Sequence, residues 1–236
     1  MTGSRVSCEL TDGVAVVRVD DGKVNAFSHE VVAAIDAALD EALAADARAV
    51  ALLGRPGRFS AGFDLDTMRS GPDAARDLLR VGAELALRLY RYPAPVVMGC
   101  TGHALAMGAI LLLAGDLRIG ARGTFKIGMN EVAIGMPVPR FAVELAEDRL
   151  SNRHRTAAVA LARVTDPDAA LEAGYLDEVV APEEVETVTV TRATELAATL
   201  RPVAFRRTRD HLRAERAERI AAGLAADLER FTVETT

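Results

Sequence analysis

Two hydrophobic periodicities alternate along the chain, and the switches between them mark out strands and helices. Runs rich in β-branched residues open it at 6–10 and 14–20, with Thr11-Asp12-Gly13 between them as a turn. Ser28 stands three residues before Val31 and predicts a helix N-cap. Val31, Ile35, Ala38, Leu39 and Ala42 then share one face of a helix reaching residue 45. The apolar run 49–53 predicts a short buried strand, and the glycine-rich segment 54–66 (GRPGRFSAGFDLD) a turn. Gly71-Pro72-Asp73 predicts the start of a helix to residue 92, with Leu78, Val81, Leu85 and Leu89 on its apolar face.

The stretch 95–116 (PVVMGCTGHALAMGAILLLAGD) organises the rest. It predicts a buried strand at 95–100, a turn broken by Gly99 and Gly102, and a helix entered near Met107 and Gly108. From Tyr92 to Gly115 there is no charged side chain, which meets the length criterion for a membrane span. Pro93, Pro95, Gly99, Gly102 and Gly108 interrupt the run, however, and Thr101 and His103 sit at its middle. Such a backbone would leave polar groups unsatisfied in lipid, so two buried elements are expected and no membrane span.

Further strands are expected at 117–120, 124–126 and 175–180, and helices at 139–149, 151–162 and 168–173. Pro182 opens another helix to residue 200. The Arg-rich segment 202–229 predicts an amphipathic helix or helix pair whose charges form a solvated face. Strands alternating with helices argue an α/β fold class. Residues 1–200 form the expected core, and 201–236 a helical region of the same domain.

Composition narrows the function. The 236 residues are 50% hydrophobic, enough for one domain with a large core. A net charge of −6 argues against a nucleic-acid partner. Cys8 and Cys100 lie far apart with no paired framework, as in a reducing compartment, and residues 1–13 lack a signal-peptide apolar core. A cytoplasmic protein is expected. His29, His103, His154 and His211 show no ligand spacing, so no metal is expected.

The two glycine turns, 54–66 and 99–108, match neither GxxxxGK[ST] nor GxGxxG. Facing each other, they could aim two backbone N–H groups at one carbonyl oxygen, an arrangement that stabilises an oxyanion. Ser60 lacks a GxSxG elbow and reads as a turn residue bonding backbone. His103 fits either a pocket wall or a backbone hydrogen bond. Asp64 and Asp66 read as auxiliary acids or as turn-forming carboxylates, Glu84 as a solvated helix residue, and Glu131 alone as a surface or capping residue.

Five segments nevertheless resemble one family in its own order. RFSAGFDL (58–65) is similar to the first oxyanion-hole motif of the crotonase, or enoyl-CoA hydratase/isomerase, superfamily, and GHALAMGA with GD (102–109, 115–116) to the second. NEVAIG (130–135) resembles the stretch carrying a catalytic glutamate, AGYLDEVV (173–180) a late strand, and KVNA (23–26) the loop near CoA. The resemblance implies a crotonase-like spiral of ββα units with a C-terminal helical region that supports a homotrimer or dimer of trimers. It implies an acyl-CoA substrate and no cofactor beyond the CoA of that substrate. The implied catalytic groups are Glu131 and the backbone N–H groups of Ala61 and Met107. The implied substrate contacts are Asn25, Ala26, Phe63, Asp64, Leu65, Gly108 and Ile110.

Two positions depart from the hydratase pattern. Met107 stands where the family usually has Gly. Ile110, six residues before Asp116, stands where hydratases carry their first catalytic Glu. One remaining carboxylate suits a double-bond shift, which needs a single base, better than hydration. Enoyl-CoA isomerisation is therefore the favoured expectation. A hydratase, a thioesterase or decarboxylase, and a non-catalytic acyl-CoA-binding protein are the alternatives.

Overall fold

The computed structural model describes residues 5–231. Residues 1–4 and 232–236, the outer ends of the expected core and helical region, lie outside the described residues. Along the chain run β1 (Val6–Thr11), β2 (Val14–Val19), β3 (Ala26–Phe27), α1 (His29–Ala44), β4 (Ala49–Leu53) and β5 (Gly57–Ser60). Then come β6 (Gly62–Phe63), α2 (Leu65–Arg69), α3 (Pro72–Tyr90), β7 (Val96–Cys100), β8 (Gly102–Leu105) and α4 (Met107–Ala114). β9 (Leu117–Ala121), β10 (Ile127–Gly128), a 3-10 turn (Val132–Ile134), α5 (Arg140–Arg149), α6 (Asn152–Val159) and α7 (Pro167–Ala173) follow. The described chain finishes with β11 (Glu178–Val180), α8 (Val185–Thr199) and α9 (Pro202–Arg230).

β1 and β2 form an antiparallel hairpin at one edge of a sheet ordered β1-β2-β4-β7-β9-β11, whose other pairings are parallel. Every residue of β4 and β7 is buried, as expected of central strands covered on both faces. Alternation assigns the faces. Val14, Val16, Ala49, Ala51, Leu53 and Val97 pack with Ala193 and Ala197 of α8. Ala15, Val17, Val50, Leu52, Val96 and Met98 join the larger core with α1, α3 and α4. The uncharged run 92–115 divides into β7, β8 and α4, and no described helix is long and apolar enough to cross a membrane.

Smaller sheets replace the two expected turns. β10, β8 and β5 pair in parallel, as do β3 and β6. Segment 54–66 therefore holds two short strands and the start of α2, and β8 occupies 102–105. Asp64 caps α2 by accepting from Thr67 N–H at 2.8 Å, the turn-forming role rather than an acid's. The strand expected at 124–126 is instead the two-residue β10, because Lys126 N–H donates to His103 Nδ1 at 2.9 Å. The late strand is shorter than 175–180, because Tyr175 and Leu176 N–H both donate to Ala170 O at the end of α7.

The expected solvated face of 202–229 is present, with Arg206, Arg207, Asp210, Glu215 and Glu218 exposed, but two of the charges turn inward instead. Residues 202–230 form one helix, and Arg209 and Arg213 are only 4% and 7% exposed. Both pair with Asp116, at 3.2 and 3.0 Å. Arg216 and Arg219 reach the buried Glu144 at 2.8 and 3.1 Å. Periodicity places these charges on a helix; what it lacks is the carboxylates opposite them, Glu144 of α5 and Asp116 two residues after α4.

Candidate active site

Glycines let the two motifs meet. A Cβ on Gly102 would stand 2.1 Å from Gly57 C, and one on Gly108 would stand 2.7 Å from Ser60 O. Gly62, at φ +98, comes so near the entry to α4 that a Cβ there would lie 3.0 Å from Ala106 Cβ. Its distance to Met107 N would be 3.5 Å. Ala106 itself has φ +48, an uncommon conformation for a residue with a Cβ, and it precedes the first helical N–H. That N–H belongs to Met107, which as the first residue of α4 has no intrahelical acceptor.

Behind this junction lies a cavity of about 410 Å³. Ala61, Phe63, Ala106, Ile110 and Glu131 line it beside the junction elements, with Leu79, Met136 and Phe231 among its apolar walls. A second cavity of about 420 Å³ shares Ala61, Phe63 and Leu65 with it and is lined by Lys23, Ala26 and Asp64. The structure thus brings Ala26, Ala61, Phe63, Asp64, Leu65, Ile110 and Glu131 to two adjoining cavities.

Glu131 is the carboxylate of the first cavity. It precedes the 3-10 turn, and its carbonyl accepts from Ile134 and Met136 N–H at 3.0 Å each, fixing the backbone that carries it. The side chain is buried, and Oε2 has no hydrogen-bond partner among the described residues. Burial pushes its pKa up from the ordinary 4.5 to about 7, against a smaller opposing effect of its own backbone N–H. A carboxyl poised near neutrality can take a proton and give it back.

The other expected site residues behave differently. Ala61 N–H donates to Val24 O at 3.1 Å, so it closes the early loop and is not free to hold an oxyanion. Asp64 N–H likewise donates to Phe27 O at 3.1 Å. Phe63, between Gly62 and Asp64, pairs with Phe27 where β6 lies parallel to β3. Asn25 does not line either cavity. It is wholly buried, accepts from Asp21 N–H at 3.0 Å and donates to Val19 O at 2.7 Å, with longer bonds to Arg58 O and Phe59 O. It ties the early loop to β5. Gly108 is a packing glycine against Ser60, and the Met107 side chain is buried towards Gly82 rather than lining the cavity.

Ser60 serves the turn: it is buried and its Oγ accepts from Gly62 N–H at 3.0 Å. Glu84 pairs with Arg80 on the surface at 2.8 Å. Among the described residues no group of three or more His, Cys, Asp or Glu is arranged to hold a metal ion. Sequence reasoning missed Leu79, Met136 and Phe231. Leu79 carried a weak signal, as one more apolar residue on the helix that begins at Pro72, but nothing local placed it at a cavity.

The family model for enoyl-CoA hydratase/isomerase matches residues 9–235. Human mitochondrial enoyl-CoA delta isomerase 1 is 31% identical over 224 residues, covering 93% of this chain and 74% of the relative. The probable enoyl-CoA hydratase echA17 of Mycobacterium avium is 34% identical over 182 residues, covering 73% and 68%. The solved apo enoyl-CoA isomerase of Mycobacterium tuberculosis superposes with a TM-score of 0.93 at 41% identity, covering 98% of this chain and 100% of that one. With the spiral fold, the paired glycine motifs and these matches in agreement, the chain belongs to the crotonase superfamily as an enzyme of the enoyl-CoA hydratase/isomerase family.

Proposed function

We propose that this enzyme moves a double bond of an enoyl-CoA thioester from C3=C4 to C2=C3, with Glu131 as its single base. The observation that carries the reading is the cavity's lining: one buried carboxylate near neutrality, with the aliphatic Ile110 beside it. The apolar cavity suits the acyl chain, and the adjoining one, with Lys23, suits the polar CoA portion.

The Glu131 carboxylate takes a proton from C2, and the C–H electrons pass into the thioester as an enolate. Phe63 and Met107 N–H are the donors that fit the developing oxygen charge, in place of the expected Ala61 and Met107 pair. Removing one such donor typically costs about 3–4 kcal/mol of barrier. Glu131, now neutral, returns the proton to C4 as the electrons shift to form C2=C3. No proton is gained or lost overall.

Hydration is the second reading, favoured by the similarity to the M. avium protein named a probable hydratase. It requires a water to be activated while a proton reaches C2, and Ile110 supplies no carboxylate for that division of work. The experiment is a direct comparison of a trans-3-enoyl-CoA with crotonyl-CoA, following formation or loss of the conjugated thioester. Conversion of the first with little hydration of the second is expected. Efficient hydration of crotonyl-CoA would overturn the isomerase reading.

A further inference from the structure

One wall of the apolar cavity comes from a residue far along the chain from either glycine motif. Phe231 immediately follows α9, at φ −68 and ψ 120, so the chain leaves the helix there. Its N–H still donates to Leu228 O at 3.2 Å, and the residue is only 7% exposed. It lines the same cavity as Glu131 and Ile110.

Its position is fixed from two directions. Arg209 and Arg213 fasten the earlier half of α9 to Asp116. Near the end of the helix, Asp227 Oδ2 accepts from Arg140 N–H at 2.7 Å. Arg140 follows Pro139, itself a wall of the cavity, so the Glu131 segment and the end of α9 share one anchor. Met68 and Met136 also line the cavity, and their unbranched side chains adapt to a ligand's shape. An aromatic ring has no such adaptability along its plane. Of the two rings that line the cavity, Phe63 also borders the second cavity, so Phe231 is the rigid ring that belongs to the apolar cavity alone.

We infer that Phe231 is the floor of the acyl cavity and sets the length of acyl chain that the enzyme accepts. The inference rests on the acyl-CoA reading above and adds its chain-length limit. Each methylene newly buried in an apolar cavity is worth about fourfold in affinity. Affinity should climb by that factor with chain length until the acyl end meets the ring, and then level off or fall.

The test is calorimetric binding of saturated butyryl-, hexanoyl-, octanoyl-, decanoyl- and dodecanoyl-CoA to the full chain. Phe231→Ala should move the break to longer acyl groups, and Phe231→Trp to shorter ones. Phe231→Leu, closer in volume to the original, carries the test in place of Phe231→Ala if circular dichroism shows that variant unfolded. A parallel loss at every chain length, with the break unmoved in both directions, would mean a structural role only and overturn the inference. Wild-type protein that binds no acyl-CoA would overturn the acyl-CoA reading itself, an outcome distinct from binding with an unmoved break.

Discussion

Asp116 and the buried Arg213 form an ion pair at 3.0 Å, joining the second residue beyond α4 to α9. Asp116 Oδ2 also accepts from Val96 N–H at 2.8 Å and from Arg209 Nη1 at 3.2 Å. This Asp belongs to the second glycine motif, yet its side chain seats α9 rather than touching either cavity. Removing it leaves two buried guanidinium groups without their carboxylate. Breaking a buried pair in this way costs about 3–5 kcal/mol, so Asp116→Ala should lower Tm by about 6–20 °C in a scan of the purified protein. An unchanged Tm would show that the cluster contributes nothing to stability.

Glu131→Gln keeps the side chain's shape but removes proton transfer. Loss of a general base is typically worth about 10²- to 10⁴-fold. Exchange of the C2 proton and isomerisation should fall by that order while acyl-CoA affinity changes little. Full activity in this variant would remove Glu131 from the mechanism.

The pKa of Glu131 makes two linked predictions. As a base it must be ionised, so kcat/KM should rise with pH up to about 7 and then level off. Stability should run the other way. The folded state holds the proton more tightly than the unfolded one, so the contribution is full below the unfolded value of 4.5 and is lost as pH rises through about 7. The span amounts to about 3 kcal/mol. Urea titrations across that range should show the decline in the wild type and not in Glu131→Gln.

Ile110→Glu asks whether a missing carboxylate is what withholds hydration. The change buries a charge beside Glu131 and costs stability unless the new carboxyl stays protonated or finds a partner, so folding is checked first by circular dichroism. A folded variant that gains measurable crotonyl-CoA hydration is the expected result. A folded variant with none would mean that more than one carboxylate separates the two chemistries here.

Much of the architecture was legible because the relevant signals are local. The Ser28 cap, the apolar run of β4, the proline at the start of α3 and the glycine-broken entry to α4 each act over a few residues, and each element formed within a few residues of its expected place. The cavity was legible only in part. Ala61 has the right position in its motif, but its N–H direction depends on Val24, 37 residues earlier. Asn25 read as a ligand contact from its place in the KVNA motif, whereas the bonds that bury it run to β2 and β5. Arg209 and Arg213 carry no mark distinguishing them from their solvated neighbours until Asp116 is placed opposite. Phe231 is one aromatic among charges, and only the path of α9 brings it to the cavity.

Association is expected to make a homotrimer or a dimer of trimers, through the C-terminal helical region that this superfamily uses. α9 keeps large apolar side chains in solvent, with Val203 57% and Leu212 75% exposed. Sedimentation equilibrium at micromolar concentration should return three or six times the chain mass. A monomer there would count decisively against it.

The anchoring of α9 has a consequence for how the protein is made. Its bonds to the core span long stretches of chain, 93 residues for Arg209 to Asp116 and 123 for Arg213 to Tyr90 O. During synthesis the sheet, Glu131 and the other walls of the cavity leave the ribosome before α9 and Phe231 do. Long-range contacts of this kind close late, and surfaces awaiting them are prone to aggregation in the meantime. Until α9 docks, Glu131 therefore stands in a cavity that lacks its Phe231 wall, and the docking of one helix supplies it.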